Sequence, residues 1–223
     1  VRDAEACPLV ERLQEYVDQV YARVYEVREA PERWPLLLTQ LRSEYWPRLD
    51  DLILELVEQH ASALSSEQLD ALTIWFGRVH GQLNNLQDEL QALMPWVWEL
   101  QMPPLGLSGD VPLKVGDAWR ALRETLPHRA TLAQIPELCQ AGREALLSLG
   151  DAVQVCLEAE AGRESACDWI QQIAARLDDA HDRARWLLAR IEELADTCDD
   201  WVREMDFGFL YDPQRQVFFI GYN

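Results

Sequence analysis

The stretch IQQIAARLDDAHDRARWLLARIEELADTCDDWVREM, Ile170 to Met205, decides the fold. Its apolar residues fall at Ile170, Ile173, Leu177, Ala180, Ala184, Leu187, Ile191, Leu194, Cys198, Trp201 and Met205. The steps alternate between three and four, which gathers all of them on one stripe of a helix. No proline or glycine interrupts these 36 residues. The pattern predicts a helix that is continuous from about Ser165 to Met205, with the 36-residue stripe running roughly 54 Å at the α-helical rise. A helix of that length with that period packs against antiparallel or nearly antiparallel neighbours, as in bundles and helical hairpins.

Two further segments carry the same period. One is Val10, Leu13, Val17, Val20, Val24, Val27; the other runs Leu69, Leu72, Phe76, Val79, Leu83, Leu86, Leu90, Leu93, Val97, Leu100. Proline and glycine punctuate the rest. APERWP (Ala30–Pro35) separates the first stripe from a short helix near Leu36–Tyr45, and Pro47 suits the first turn of another that runs to about His60. Ser65-Ser66-Glu67-Gln68 reads as a capping box that opens the second striped helix. MPPLGLSGDVPLKVGD, Met102 to Asp117, has three prolines and three glycines and is expected to be a loop. A short helix near Asp117–Thr125 and a longer one over about Pro136–Glu160 follow, with AGRES setting off the last. The expected organisation is an N-terminal helical part (1–101), a loop (102–116), a C-terminal helical part (117–206) and a terminal β-hairpin (207–223). The expected fold class is therefore all-α: an elongated bundle of six or seven helices with that hairpin appended.

Composition narrows the partners. Of 223 residues, 39 are Asp or Glu and 20 are Lys or Arg, a net charge of −19. Such a surface repels phosphates and anionic headgroups, so nucleic acid and membrane surfaces are poor partners. No apolar run reaches the ~20 residues of a spanning helix, so no direct membrane insertion is expected. The five cysteines are odd in number and form no C-x-x-C, which reads as reduced thiols in a cytosolic setting, with Cys139, Cys156 and Cys198 at or beside core positions.

A search for chemistry returns no catalytic, cofactor-binding or metal-binding assignment. There is no D-x-D for a metal-bound diphosphate, and the nearest approach to Q-x-x-R-W, Asp182 to Trp186, lies inside the long heptad. Asp178 and His181 share a helix face at i,i+3, but a di-metal bundle needs that unit twice and no second copy is present. The cluster reads as a solvated acidic face. Trp46, Trp96 and Trp98 stand beside proline-rich breaks and are the candidates for stacking on a sugar ring, a position that equally suits core residues.

The tail departs from the helical pattern. Phe207–Tyr211 and Val217–Tyr222 are aromatic and β-branched, with Asp212-Pro213 between them as a turn opener. A lone hairpin is marginal in water, so something must cover its apolar groups. EMDFGFLYDPQRQVFFIGYN, Glu204 to Asn223, resembles the start of the glucoamylase-like central domain of cyclic β-1,2-glucan synthases. There a long helical region leads into MDF-x-FLYD, a short turn and a strand ending IGYN. The match falls on Met205, Asp206, Phe207, Phe209, Leu210, Tyr211 and Asp212, then on Ile220, Gly221, Tyr222 and Asn223. It covers about twenty of the 223 residues.

The resemblance implies a parent that is a large bacterial inner-membrane enzyme. A membrane-embedded glycosyltransferase extends a glucan from UDP-glucose, a glucoamylase-like domain is associated with transglycosylation and ring closure, and a phosphorylase-like domain follows. This chain would be a helical connector on the cytoplasmic side, non-catalytic by itself. Its partners would be other domains of the same polypeptide, and a β-glucan is a further candidate. Phe207, Phe209, Tyr211, Phe218 and Ile220 would dock the next domain. Two other readings stand beside this one: a free-standing helical interaction module, and a glucan-binding helical module.

Overall fold

The computed structural model describes residues 8–60, 65–109, 111–157, 160–205, 211–212 and 214–218. The fold is all-α. The helices are α1 (Pro8–Val27), α2 (Trp34–Gln40), α3 (Trp46–His60), α4 (Ser66–Leu93), the single turn α5 (Trp96–Glu99), α6 (Leu113–Thr125), α7 (Ile135–Cys156) and α8 (Glu160–Glu204). Two short strands, β1 (Tyr211–Asp212) and β2 (Val217–Phe218), pair antiparallel with Tyr211 opposite Phe218.

The long helix forms as its period demands. It is unbroken over 45 residues and contains the whole interval Ser165–Glu204. AGRES, however, lies inside it; the preceding helix stops earlier, at Cys156. Gly162 is carried inside α8 without breaking it, and the glycine that permits a close approach here is Gly106. A Cβ on Gly106, in the turn Leu105–Leu107, would lie 2.1 Å from the Gly162 carbonyl oxygen, so this turn rides directly on the α8 backbone.

Proline acts differently at three places. The helix expected to start afresh at Pro47 instead continues from α2 through a π turn at Leu41–Tyr45. Pro47 lacks an N–H and its ring crowds the preceding turn; a widened turn just before it absorbs both effects without ending the helix. At Pro95 the opposite happens. Met94 is pushed to φ −135°, ψ 58°, and α4 ends at Leu93, so the second stripe does not continue as one helix to Leu100. Pro112 sits at the cap of α6, which begins at Leu113, four residues before the expected start. The capping box forms as read: Gln68 N–H donates to Ser65 Oγ (3.2 Å) and Ser65 N–H to Gln68 Oε1 (2.9 Å).

The buried residues gather in two clusters. A large core joins α5 to α8 through Trp96, Val97, Leu122, Leu146, Leu149, Val153, Ile173 and Leu177. A small one gathers Val27, Leu37, Leu38 and Leu41. Leu90 packs against both, and Gln101 Nε2 donates to the Glu32 carbonyl at 2.9 Å, so α4 and α5 tie the two together. Leu107, within the proline- and glycine-rich segment, is itself buried in the large core.

Candidate functional site

Side-chain burial along α8 changes abruptly. Ala166, Trp169, Ile173, Leu177, Ala180 and Ala184 are buried against α7, the turn Leu105–Leu107 and α4, with Trp169 edge-on to Trp119 of α6. Leu187 is half-buried. Beyond it the same stripe faces outward: Ile191 and Leu194 are each 54% exposed, Trp201 62% and Met205 55%. Leu188, Ala195 and Val202 repeat every seven residues beside it, so the apolar face is wider than a two-helix seam. Cys198 lies exposed in its middle, not in a core.

A second uncovered apolar surface lies between α1, α3 and α4. It is a groove of about 650 Å³ walled by α1 (Leu13, Val17), α3 (Trp46, Leu49, Ile53) and α4 (Leu72, Trp75, Phe76, Val79), with Gln68 the one polar residue among the described lining. Trp46 is buried in the floor, stacked on Phe76 with ring centroids 4.1 Å apart and on His80 at 4.9 Å. Trp75 stands up from the α4 wall, 64% exposed, with the Arg78 guanidinium 5.6 Å from its ring centre. Periodicity had marked these stripes but not that they would lack a partner. Trp75 and Ile74, adjacent to the heptad position Phe76, were the available sign: apolar residues beyond what one stripe needs.

The three tryptophans singled out for sugar contact have separate fates. Trp96 is wholly buried in the large core and its indole N–H donates to the Pro127 carbonyl at 2.9 Å, so it has no face to offer a sugar. Trp46 is committed to Phe76 and His80. Trp98 is half-buried and lines an open cleft with Asp88, Gln91, Glu99, Arg176 and Arg183, in which Arg176 is paired to Glu99.

The acidic cluster on α8 stitches helices together. Arg143 of α7 donates to Asp178, and His181 Nδ1 lies 3.2 Å from the Pro136 carbonyl at the start of α7. Among the described residues no group of His, Cys, Asp and Glu is arranged to hold a metal ion. Cys139 is buried beneath this junction. Burial first, and the Asp178 carboxylate second, push its thiol up to about 12, which leaves it protonated and inert at neutral pH. Tyr16 is also raised, first by partial burial and then by Tyr45, beside which it lies with rings 6.3 Å apart.

Of the residues expected to dock a further domain, Phe207, Phe209 and Ile220 lie outside the described residues. Tyr211 is 41% exposed, and Phe218 is described through its backbone pairing with it. Asp212 holds the turn: its Oδ1 accepts from the N–H groups of Gln214 (2.8 Å) and Arg215 (3.2 Å). Gln216 completes the turn at φ 57° and donates its N–H to the Asp212 carbonyl. Asp212 is therefore occupied as a turn cap. No described helix is long and apolar enough to cross a membrane. The chain matches no protein-family model, no curated protein and no solved structure.

Proposed function

We propose that this chain is a rigid helical connector that holds one domain of a larger polypeptide at a fixed distance and angle from another, without chemistry of its own. The observation that carries this reading is the outward-facing half of α8. Half of α8 anchors in the large core, and the other half leaves it as an uninterrupted helix whose apolar stripe stays uncovered up to Met205. That stripe ends where the MDF-x-FLYD resemblance begins. A stiff helix rooted in a packed core transmits orientation, whereas a flexible linker transmits only a distance distribution.

The resemblance of the tail supplies the context: the connector between the chain-extending and ring-closing parts of a cyclic β-1,2-glucan synthase, on the cytoplasmic side of a bacterial inner membrane. Its partners are the parent's other domains. In this reading the uncovered stripe and the hairpin would both contribute to the face that meets the glucoamylase-like domain. The Trp98 cleft keeps a β-glucan contact as the second reading, because it offers an indole beside carboxylates and guanidinium groups in an open site.

The test is made in the parent enzyme. Seven residues of heptad pattern inserted after Ala189 lengthen the arm by about 10 Å and preserve its face; two inserted residues turn that face by about 200°. The expected result is that the two-residue insertion impairs ring closure far more than the seven-residue one, with chain extension retained in both. Equal ring closure in both variants would refute the connector role. A reading frame without glucoamylase-like sequence after this segment would refute the synthase context.

A further inference from the structure

We propose that the groove between α1, α3 and α4 is a docking site for a basic amphipathic helix. This stands apart from the reading of α8 and the tail, since none of the described residues that line the groove belongs to either.

The lining dictates a helix. Among the described residues its walls are side chains of carbon, with Gln68 alone polar, so this lining has almost nothing to offer a partner's backbone N–H and C=O groups. An extended segment lying there would leave those groups without hydrogen bonds, while a helix satisfies its own. The shape agrees. On α4 the lining falls at Gln68, Leu72, Trp75, Phe76 and Val79, a ridge about 17 Å long, and α1 forms the opposite wall over an α3 floor. This is the trough of a four-helix arrangement from which one helix is missing. Trp75 (64% exposed), Val79 (48%) and Val17 (43%) mark its open mouth.

The charge dictates the flanks of that helix. Residues 8–18, 46–58 and 66–79, which build the walls, carry nine carboxylates and three arginines. Of the three, Arg12 is paired with Glu55 at 3.5 Å and Arg78 sits over Trp75. A partner with Lys or Arg beside its apolar stripe is attracted, and an anionic one is repelled. A second copy of this chain fits poorly on the same ground, because its own uncovered helix, residues 187–205, has six carboxylates and two arginines.

The probe is a fluorescein-labelled synthetic helix of about 18 residues, with leucine at helical spacing and lysine elsewhere, roughly 27 Å long. Its counterpart replaces every lysine by glutamate. Anisotropy titrations on the full chain should show the lysine peptide binding at least tenfold more tightly than the glutamate one, with the gap shrinking as salt rises. Trp75→Ser and, on the facing wall, Val17→Ser should each weaken the lysine peptide at least tenfold. Leu147→Ser, at an equally exposed site on α7 outside the groove, should not. Circular dichroism confirms that each variant stays folded, and the two walls provide independent variants if one does not. Equal binding of both peptides, or indifference to both groove variants, would overturn the proposal. So would binding that appears only when residues 207–223 are deleted, which would make the chain's own tail the occupant. A dimer abolished by Trp75→Ser would make a second copy the occupant and overturn it as well.

Discussion

Leu177 and Leu194 occupy the same stripe of the same helix, and truncating each to alanine measures where α8 stops being part of the bundle. Leu177 is completely buried, in contact with the large core between α7 and α8. Leu177→Ala removes about three carbons, worth about 2.4 kcal/mol at ~0.8 kcal/mol per buried methylene. The void adds to this, because the packed neighbours relax only in part, so a loss of about 2–5 kcal/mol is expected. Leu194 is 54% exposed. Leu194→Ala should therefore cost less than about 0.5 kcal/mol, and the better helix propensity of alanine can offset even that. Urea unfolding followed by circular dichroism gives both values, with an unchanged dependence on denaturant showing that the unfolding event is the same. A loss of 2 kcal/mol or more for Leu194→Ala would mean that the distal stripe is covered in solution, and the connector reading would lose its main support. A loss below 1 kcal/mol for Leu177→Ala would mean that α8 is not seated on α7.

Three further outcomes are expected. Gly106→Ala places a Cβ 2.1 Å from a backbone oxygen of α8 and should lower the melting temperature by an overpacking cost of about 1–3 kcal/mol or more, whereas Gly150→Ala, with nothing within 4 Å in α7, should raise stability by up to about 1 kcal/mol; equal shifts would contradict the close approach of turn and helix. Cys139 has a folded pKa raised from 9.0 to about 12, so its contribution is fully present below pH 9 and is lost as pH climbs toward 12; urea midpoints between pH 9 and 11 should fall more steeply for the native chain than for Cys139→Ala, and parallel slopes would refute this. Deletion of Phe207–Asn223 should leave the helical circular dichroism signal per molecule nearly intact, since α1 to α8 pack on one another; global unfolding would show that the tail belongs to this domain's core.

The helices were legible because their signals are local. A 3.5-residue repeat without proline or glycine fixed α8, and Ser65 with Gln68 fixed the start of α4, each through interactions between residues three or four apart. The errors share one cause. Pro47, Pro95 and Gly162 are the same breakers in the sequence, and their effect depends on what lies across from them. Pro47 is absorbed by a π turn, Pro95 ends a helix, and Gly162 is carried inside α8 without a break. Trp96 and Trp98 show the same limit at the candidate site. They sit two residues apart on one helical turn, yet one is sealed in the core with its indole bonded to Pro127 and the other faces a cleft. Nothing in their local sequence distinguishes them.

The α8 stripe itself shows what a periodicity leaves open and what its residues add. In the anchored half, the positions after Leu177 are Ala180 and Ala184, both fully buried, where small side chains let other helices approach closely. In the outward half the stripe continues as Ile191, Leu194, Cys198, Trp201 and Met205, with Val202 alongside, so that all but Cys198 are large. A helix destined only for water has no need of large apolar residues on one face for three heptads. The register says that both halves face a partner; the change in side-chain size says that the partners differ. The first lies close and is supplied by α7 and its neighbours. The second requires a surface with space for a tryptophan and a methionine, standing farther from the α8 axis than a helix packed on alanine. A flat or cupped domain face meets that requirement better than another helix of this bundle, which is why we propose a neighbouring domain as the partner of the outward half of α8.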